Sequence, residues 1–265
     1  MNNQDQVTSR LPLLTASAVT YSYPGARSPH PVLENFELTV NEGEFFCLLG
    51  PSGCGKTSIL NLLAGFTLPD RGTVELAGKR VMRADADRGV VFQTDDALFP
   101  WLSACKNVSF GLQMKGLSKA EREKRALHYL AAVHLTGHES KYPSEMSGGM
   151  KQRVQIARVL ANDPKILLMD EPFGAVDAQT RASLQDELAQ IWELTGKTIL
   201  FITHDISEAI LLADRIGVVS YGPRSHILEI IENDLPRPRR RSDPRIGVLW
   251  ERINDLLHGH PKEFV

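Results

Sequence analysis

A single short segment, residues 50–57, constrains the fold of this chain more than any other feature. Its sequence is Gly-Pro-Ser-Gly-Cys-Gly-Lys-Thr, which matches the pattern G-x-x-x-x-G-K-S/T. The apolar run Phe45–Leu49 before it is predicted to be a buried strand, and a helix is predicted to start at Lys56. A strand, a glycine-rich loop and a helix in this order predict an α/β sheet with a phosphate site at the loop.

The loop has the chemistry of a phosphate cradle. Glycines at positions 50, 53 and 55 allow the backbone N–H groups to converge on phosphate oxygens at the helix N-terminus. Lys56 adds positive charge at the β- and γ-phosphates of ATP, and the Thr57 hydroxyl is placed to ligate Mg²⁺. The alternative is a glycine-rich turn without a ligand, and the flanking strand and helix argue against it. The candidate phosphate-binding residues are Gly50, Pro51, Ser52, Gly53, Cys54, Gly55, Lys56, Thr57 and Ser58.

Cys54 lies among the N–H groups of this loop, two residues before Lys56. A helix N-terminus and a neighbouring lysine both lower the pKa of a thiol. We therefore expect a reactive thiolate that a maleimide reaches in the empty loop and that bound MgATP shields. Cys47, on its buried strand, is expected to react slowly with or without nucleotide.

A second motif, residues 166–171, is an apolar strand that ends in two carboxylates, Asp170 and Glu171. Successive side chains of a strand point in opposite directions, so the two are expected to do different jobs. Asp170 is expected to hold Mg²⁺ through its water shell. Glu171 is expected to face the γ-phosphate and to polarise the attacking water, as a general base or as an orienting group. The alternative is a pair of helix-capping acids before Pro172.

His204 follows another predicted buried strand, 198–202. A histidine at this place can reach the carboxyl edge of the sheet, where α/β folds bind ligands. It is a candidate for a contact to the γ-phosphate. A lone histidine at a strand end also fits a structural role, and the spacing alone leaves both open.

The remaining hydrophobic pattern extends the α/β fold along the chain. Short apolar runs are typical of buried parallel strands, and helix-length segments lie between them. The predicted strands are 45–49, 90–92, 166–169, 198–202 and 216–219, and the predicted helices are 56–64, 119–134, 150–160 and 180–194. Two alternating segments, 14–23 and 36–40, predict a smaller antiparallel sheet laid against the main one.

The pattern also divides the chain into regions. Residues 11–225 form the predicted ATP-binding domain, within which an insert at about 95–160 supplies helices without an intervening strand. Residues 226–265 are predicted to be a tail packed on the surface, with a possible helix near its end. The arginines at 237 and 239–241 of this tail are typical of solvated chain, and near a membrane they would meet anionic headgroups.

The composition argues against several classes of protein. With 30 Lys and Arg against 32 Asp and Glu, the chain lacks the basic excess of a duplex-binding protein, so no nucleic-acid partner is expected. No apolar run approaches the roughly 18 residues of a membrane-spanning helix, and the polar N-terminus does not resemble a secretory signal. The three cysteines lack metal-ligand spacing and agree with the reducing cytoplasm, where the chain is expected to stay.

The segment 147–153, Ser-Gly-Gly-Met-Lys-Gln-Arg, resembles the signature motif of ATP-binding-cassette (ABC) ATPases. The order of the motifs also resembles that family over about residues 14–220. The resemblance implies a P-loop NTPase (RecA-like) parallel sheet core with an N-terminal antiparallel β-subdomain and an α-helical insert subdomain. It implies ATP hydrolysis with ATP and Mg²⁺ as the bound groups. Met146 and Met150 stand where the commonest family motif has Leu and Gln.

Further site residues are implied by this resemblance. Tyr23 is expected to stack on adenine, with Tyr21 the less favoured candidate. Gln93 matches the glutamine that joins the sheet to the insert and touches Mg²⁺ and the attacking water. The expected catalytic residues are thus Glu171, His204 and Gln93, and the expected metal ligands are Thr57, Gln93 and Asp170.

The signature motif further implies a second copy of the chain. In the family, the Ser147 hydroxyl, the N–H groups of Gly148 and Gly149 and the helix that follows contact ATP held by the loop of another subunit. Asp177 matches the loop that crosses the dimer interface. The expected assembly is an isologous homodimer with two shared sites.

Segments 88–101, 171–177 and 235–239 look like the nitrate, sulfonate and taurine importer branch of the family. This implies an ATPase subunit for import of a nitrate, taurine or aliphatic sulfonate type anion. Its expected place is the cytoplasmic face of the bacterial inner membrane, peripherally bound, with a transmembrane permease and a periplasmic substrate-binding protein as partners. Phe99 and Trp101 either face the permease or fill the core of the insert.

Other classes of function compete with this assignment. They are an importer ATPase for a different small solute, a soluble cassette ATPase acting on nucleic acid or ribosomes, and a nucleotide kinase or GTPase. The sequence has no second cassette, no coiled-coil arm and no Asn-Lys-x-Asp guanine motif. It does not encode the identity of the transported solute, because the ATPase subunit does not form the translocation pathway.

Overall fold

A computed structural model gives the fold for residues 10–25, 30–93, 97–174 and 176–259. The strands are β1 Pro12–Tyr21, β2 Leu33–Asn41, β3 Phe45–Leu49, β4 Arg71–Leu76, β5 Lys79–Arg80, β6 Arg88–Val91, β7 Ile166–Asp170, β8 Thr198–Thr203, β9 Arg215–Val219 and β10 Ile227–Glu232. The helices are α1 Lys56–Ala64, α2 Ala104–Met114, α3 Lys119–Ala132, α4 Gly148–Ala161, α5 Ala178–Thr195, α6 Ile206–Leu212 and α7 Pro244–His258.

The larger of two sheets has the strand order β10-β9-β3-β8-β7-β6. The pairs from β9 to β6 are parallel, and β10 is antiparallel to β9. β3, β7 and β8 are buried at every position because both faces of this sheet are covered, which is why their sequences are continuously apolar. The predicted α/β class is confirmed, and the strand ends differ from the predicted ones by one or two residues.

The smaller sheet has the order β2-β1-β4-β5 and is antiparallel throughout. Helix α1 packs between the two sheets, because Ile59 and Leu63 share one core cluster with Phe36 of β2 and Leu200 of β8. The predicted pairing of the first two segments is confirmed. The sheet also contains β4 and β5, which the sequence pattern did not reveal.

The insert contains α2, α3 and α4 between β6 and β7, and its described residues add no strand, as expected. Buried Asn107 fixes the loop that precedes α2. Its Oδ1 accepts from the Phe99 N–H at 2.9 Å, and its Nδ2 donates to the carbonyls of Phe99 at 3.1 Å and Leu102 at 2.9 Å. This loop therefore holds Phe99 and Trp101 in place without a regular element.

The prediction of a surface-packed tail over residues 226–265, with a possible helix near its end, missed a strand. Residues 227–232 form β10, an edge strand of the larger sheet, and Ile231 is buried against the core. Helix α7 then packs on the same core through Ile253 and Leu257. Ile231 is the buried residue of β10 and lies between exposed Ile230 and Glu232, so this edge strand contacts the core at one position.

The arginine run is also not simply solvated chain. The Arg237 guanidinium pairs with Asp214 at 2.9 Å and lies 4.3 Å from the centre of the Trp192 ring. Arg239 donates to several backbone carbonyls, including Ala213 O at 2.6 Å and Asn233 O at 3.0 Å. Burial, together with the neighbouring positive charge of Arg237, lowers the pKa of Arg239 to about 10. These side chains bind the segment before α7 to the domain.

Within the described part of the chain, no helix is long and apolar enough to cross a membrane.

Candidate active site

Four adjacent parallel strands end at one edge of the larger sheet and place the candidate residues in a row. The loop 50–57 follows β3, His204 follows β8, Asp170 ends β7, and Gln93 lies two residues beyond β6. The backbone continues this alignment past the strands, because the Glu171 N–H donates to the Ile202 carbonyl at 2.9 Å. Ligands of parallel α/β sheets bind at this edge.

The phosphate loop has the conformation that its glycines predict. Gly53 and Gly55 have φ angles of 83° and 88°, a region that residues with a Cβ rarely adopt. Gly55 precedes α1 without a side-chain cap, so the first N–H groups of the helix stay free to face an anion. Lys56 is 6% exposed, and its Nζ donates to the carbonyls of Gly50 at 2.9 Å and Pro51 at 3.0 Å. The loop thus holds its ammonium group against the cradle.

Thr57 and Asp170 form the oxygen pair expected for a cation. The Thr57 hydroxyl donates to Asp170 Oδ2 at 3.0 Å, so the two expected ligands already lie together. Burial raises the pKa of Asp170, and the hydrogen bond from Thr57 opposes this rise. A hydroxyl and a carboxylate are the hard oxygen donors that Mg²⁺ prefers, so this pair fits the ion.

The Glu171 carboxylate contacts three other candidate site residues, Lys56, His204 and Gln93, and we call these four side chains the hub. One carboxylate oxygen lies 3.5 Å from Lys56 Nζ. The other lies 2.9 Å from His204 Nδ1 and 3.4 Å from Gln93 Nε2. The backbone of Glu171 has a φ of 41°, which is strained for a residue with a side chain. Lys56 and His204, predicted to lie at the γ-phosphate, and Gln93, predicted to touch Mg²⁺ and the attacking water, therefore contact one carboxylate.

Tyr23 lies beside the phosphate loop, half exposed. Its hydroxyl and the hydroxyl of buried Ser58 are hydrogen-bonded at 2.6 Å, and its ring meets Tyr21 edge-on at 5.5 Å. Tyr21 is itself buried. Of the two tyrosines, Tyr23 therefore has the accessible ring, which agrees with the expected preference.

The signature residues and Asp177 form a second group at the starts of α4 and α5. Ser147 caps α4, where its hydroxyl accepts from the Met150 N–H at 3.3 Å. Asp177 caps α5 by accepting from the N–H groups of Gln179 and Thr180 at 3.1 and 3.0 Å. A Cβ at Gly149 would lie 2.6 Å from Thr180 Cγ2, so only glycine lets these helix ends approach so closely.

The expectation of a reactive thiolate at Cys54 is wrong. The residue is 1% exposed, and burial raises the pKa of its thiol although Lys56 and backbone N–H groups act in the opposite direction. Desolvation outweighs the neighbouring charge because the side chain packs in the hydrophobic core cluster around α1.

Sequence reasoning missed a set of hydrogen-bonded side chains that begins at Thr203, the residue before His204. The Thr203 hydroxyl donates to Glu208 Oε2 at 2.6 Å and accepts from the Asp205 N–H at 3.0 Å. Gln185 Nε2 donates to the other oxygen of Glu208 at 3.0 Å. The sequence signal is a glutamate, Glu208, in the first turn of the helix that follows His204.

Comparison with known proteins gives consistent matches over most of the chain. The family model described as ABC transporter matches residues 33–174. Bicarbonate transport ATP-binding protein CmpD of Synechocystis sp. is 49% identical over 260 residues, which cover 96% of this chain and 91% of that protein. Nitrate import ATP-binding protein NrtD of Synechococcus elongatus is 44% identical over 243 residues, covering 89% of this chain and 88% of that protein. Taurine import ATP-binding protein TauB of Pseudomonas syringae pv. tomato is 49% identical over 211 residues, covering 80% of each chain.

A solved structure shares the fold. It is a dimeric ATP-binding cassette in a post-hydrolysis state bound to ADP and Pi, with a TM-score of 0.73 and 32% sequence identity. The match covers 84% of this chain and all of that one.

Proposed function

This chain belongs to the ABC transporter family, and we propose that it is the ATP-hydrolysing subunit of an importer for a small anion. One observation carries the catalytic part of this proposal. The Glu171 carboxylate, at the end of the phosphate-binding strands, contacts Lys56, His204 and Gln93. These are the groups that hydrolysis of a γ-phosphate requires around an attacking water.

Binding of ATP uses the loop and its lysine. The N–H groups at the start of α1 and the Lys56 ammonium take up the phosphate charge, and Tyr23 offers its exposed ring to the adenine. Thr57 and Asp170 are the proposed Mg²⁺ ligands, with Gln93 joining them. When bound, Mg²⁺ supplies charge neutralisation at the β- and γ-phosphates.

Hydrolysis uses the hub. Glu171 orients the attacking water and accepts its proton, while His204 holds the carboxylate from one side and contacts the γ-phosphate. Gln93, which donates to the same carboxylate, links the site to the insert. The strained backbone of Glu171 fixes the direction of its side chain before the substrate arrives.

We infer that this chain forms a dimer, because the related cassette is dimeric in its solved structure. We assign to the second subunit the role of closing the site with Ser147, the N–H groups of Gly148 and Gly149, and the start of α4. Asp177 lies beside this group at the start of α5 and is placed to cross the interface. Isologous pairing then gives two shared sites.

The permease partner is assigned to the groove between β6 and the insert. This groove has a volume of about 420 Å³ and is lined by Phe99, Phe110 and Arg158, among others. Trp101 at its margin is 69% exposed, so it does not fill the core of the insert. An exposed tryptophan beside a groove lined by partly buried phenylalanines suits insertion of a partner segment.

The proposed class of transported solute follows from the names of the relatives. They are named for bicarbonate, nitrate and taurine, small molecules that each carry an oxyanion group. We therefore assign to this chain a small oxyanion solute, delivered by a periplasmic binding protein, and a peripheral place at the cytoplasmic face of the inner membrane.

The catalytic assignment is tested by comparing two variants of the full chain. Glu171→Gln should bind MgATP with unchanged affinity but lower kcat by about 100-fold or more, because it removes the proton acceptor and keeps the cradle. Lys56→Ala should lose MgATP affinity, because it removes charge from the bound phosphates in the ground state. Titration with a fluorescent ATP analogue and a phosphate-release assay measure both. Wild-type turnover in Glu171→Gln would contradict the assignment.

The same Glu171→Gln chain tests the shared site. With MgATP it should accumulate as a closed dimer that elutes early in gel filtration. Adding Ser147→Arg should abolish that dimer while MgATP binding to each chain persists, because Ser147 acts on the ATP of the partner subunit. A stable dimer of the double variant would show that Ser147 does not close the site.

A further inference from the structure

A chain of hydrogen-bonded side chains runs from the residue before His204 to the segment before α7. The Thr203 hydroxyl donates to Glu208 Oε2 at 2.6 Å, and Gln185 Nε2 donates to Glu208 Oε1 at 3.0 Å. Arg241 in turn donates to Gln185 Oε1 at 2.6 Å. We call these four side chains the Glu208 network. It joins the end of β8, α6, α5 and the C-terminal segment.

The direction of every bond in this network is fixed by chemistry. Arg241 can only donate, so the Gln185 amide must turn its oxygen toward Arg241. Its nitrogen then faces Glu208. The Glu208 carboxylate then accepts from both Gln185 and Thr203. The hydroxyl proton of Thr203 is committed to Glu208, which leaves its oxygen to accept the Asp205 N–H at 3.0 Å.

Three of the four side chains of the network are buried, and the fourth, Arg241, is exposed where the network reaches the surface. Thr203, Gln185 and Glu208 are 2%, 5% and 5% exposed. Burying a carboxylate costs free energy unless hydrogen bonds compensate it. Gln185 and Thr203 supply that compensation from the two elements that flank α6, so the position of Glu208 follows from theirs.

The network acts on His204 through the residues that flank it in the chain, because the Thr203 hydroxyl bonds the residue before the histidine to the residue after it. Thr203 precedes the histidine, and the Asp205 N–H that bonds to Thr203 follows it. Asp205 also caps α6, the helix that carries Glu208. The His204 ring is itself 56% exposed and contacts Glu171 at 2.9 Å. The direction of the ring toward Glu171 is therefore set by the backbone on its two sides.

We propose that the Glu208 network positions His204 for hydrolysis, with Thr203 and Glu208 as positioning residues and Arg241 as the contribution of the C-terminal segment. This inference rests on the proposed role of His204 at the γ-phosphate. It extends the site to residues that touch no substrate. It also makes turnover depend on the segment before α7.

The first test compares Thr203→Val with Thr203→Ser. Valine keeps the shape but removes the hydroxyl, so kcat at saturating MgATP should fall by about 10- to 100-fold, the loss typical of a displaced catalytic group. The KM for MgATP should stay within about twofold, because the cradle is unchanged. Serine retains the hydroxyl and should restore most of kcat. Equal kcat in the valine, serine and wild-type chains would overturn the proposal, and melting temperatures show whether the variants fold.

The second test separates positioning from a general structural role. His204→Ala should lower kcat, and adding Thr203→Val to it should cause no further loss, because the network acts through the histidine. If the two losses multiply, the network does not act through His204. If His204→Ala alone leaves kcat unchanged, the proposed role of His204 fails, and the positioning proposal fails with it.

The third test examines the C-terminal end of the network. Arg241→Ala should lower kcat by about two- to tenfold, the effect of one lost hydrogen bond. Arg240→Ala is the matched control, because Arg240 is an exposed neighbour of the same charge, and it should leave kcat unchanged. Identical kcat values for the two variants would remove Arg241 from the proposal.

Discussion

At the scale of single residues, Glu171 combines catalytic contacts with backbone strain. Its φ of 41° costs on the order of 1–3 kcal/mol in a residue with a Cβ. The cost is borne where the carboxylate contacts Lys56, Gln93 and His204 together. Such strain persists only where surrounding contacts hold a residue in one conformation. The strain at Glu171 therefore agrees with a carboxylate whose direction is set before the substrate binds.

Cys54 shows that burial can outweigh charge at one residue. Lys56 and backbone N–H groups lower the pKa of the thiol, but desolvation raises it by more. Cys47 on β3 is buried too, and its pKa is raised well above the ordinary value. Both thiols therefore lack the two properties, ionisation and access, that fast alkylation requires.

A short maleimide pulse at neutral pH should label Cys54 as slowly as Cys47, with or without MgATP. Half-buried Cys105 should be labelled faster, because its side chain is more accessible than the other two. Peptide mapping measures the three labelled fractions, and a sample unfolded in guanidinium shows that all three can react. Rapid labelling of Cys54 that MgATP suppresses would contradict this prediction.

At the scale of elements, α4 and α5 are joined by a bidentate ion pair. Arg153 donates to the two oxygens of Glu187 at 2.9 and 2.7 Å, and Ser183 donates to the same carboxylate at 2.9 Å. The pair lies along the helices that start at Ser147 and Asp177. It therefore fixes the relative position of the two groups assigned to the dimer interface.

Glu187→Ala should lower the free energy of unfolding by about 1–3 kcal/mol, because it leaves the partly buried Arg153 without its acceptor. Glu123→Ala is the matched control, since Glu123 pairs with Lys119 at 3.8 Å on an exposed helix face. That pair should contribute less than about 0.5 kcal/mol. Urea unfolding followed by circular dichroism compares the two. Equal losses of unfolding free energy in the two variants would mean that the α4–α5 pair stabilises the fold no more than the exposed pair does.

At the scale of the whole molecule, the first described residue and the segment before α7 meet at Asp214. Arg10 and Arg237 donate to its carboxylate at 2.8 and 2.9 Å, and the Phe45 N–H of β3 donates at 3.3 Å. Burial alone would raise the pKa of Asp214, but the hydrogen bonds from the two arginines outweigh it. The pKa therefore lies below its ordinary value of 3.8.

This lowered pKa predicts a pH dependence of stability. The contribution of Asp214 is complete above the unfolded pKa of about 4 and is lost as pH falls through the lower folded pKa. Asp214→Asn should therefore be less stable than the wild type by about 1–3 kcal/mol at pH 7. The difference should begin to shrink below about pH 4, as the carboxyl of the unfolded chain is protonated, and should be smallest below the folded pKa, where Asp214 is neutral in both states. Chemical unfolding at several pH values measures it, and a difference that stays constant down to pH 2 would refute the assignment.

The sequence by itself determined the phosphate loop, the two carboxylates, the histidine and the class of the sheet. Each is a local pattern, since a glycine-rich turn between an apolar strand and a helix leaves the backbone few alternatives. Parallel order then brings the strand ends together, which is why Lys56, Glu171 and His204 meet as expected.

Only the tertiary structure decided the features that depend on contacts between distant residues. Burial of Cys54 reversed the expected direction of its pKa shift. Pairing with β9 made β10 part of the sheet. Arg237 contacts Asp214 and Trp192, which belong to earlier parts of the chain. The Glu208 network links α5, α6 and the C-terminal segment in the same way. Desolvation and long-range hydrogen bonds are properties of the packed chain, so no local pattern encodes them.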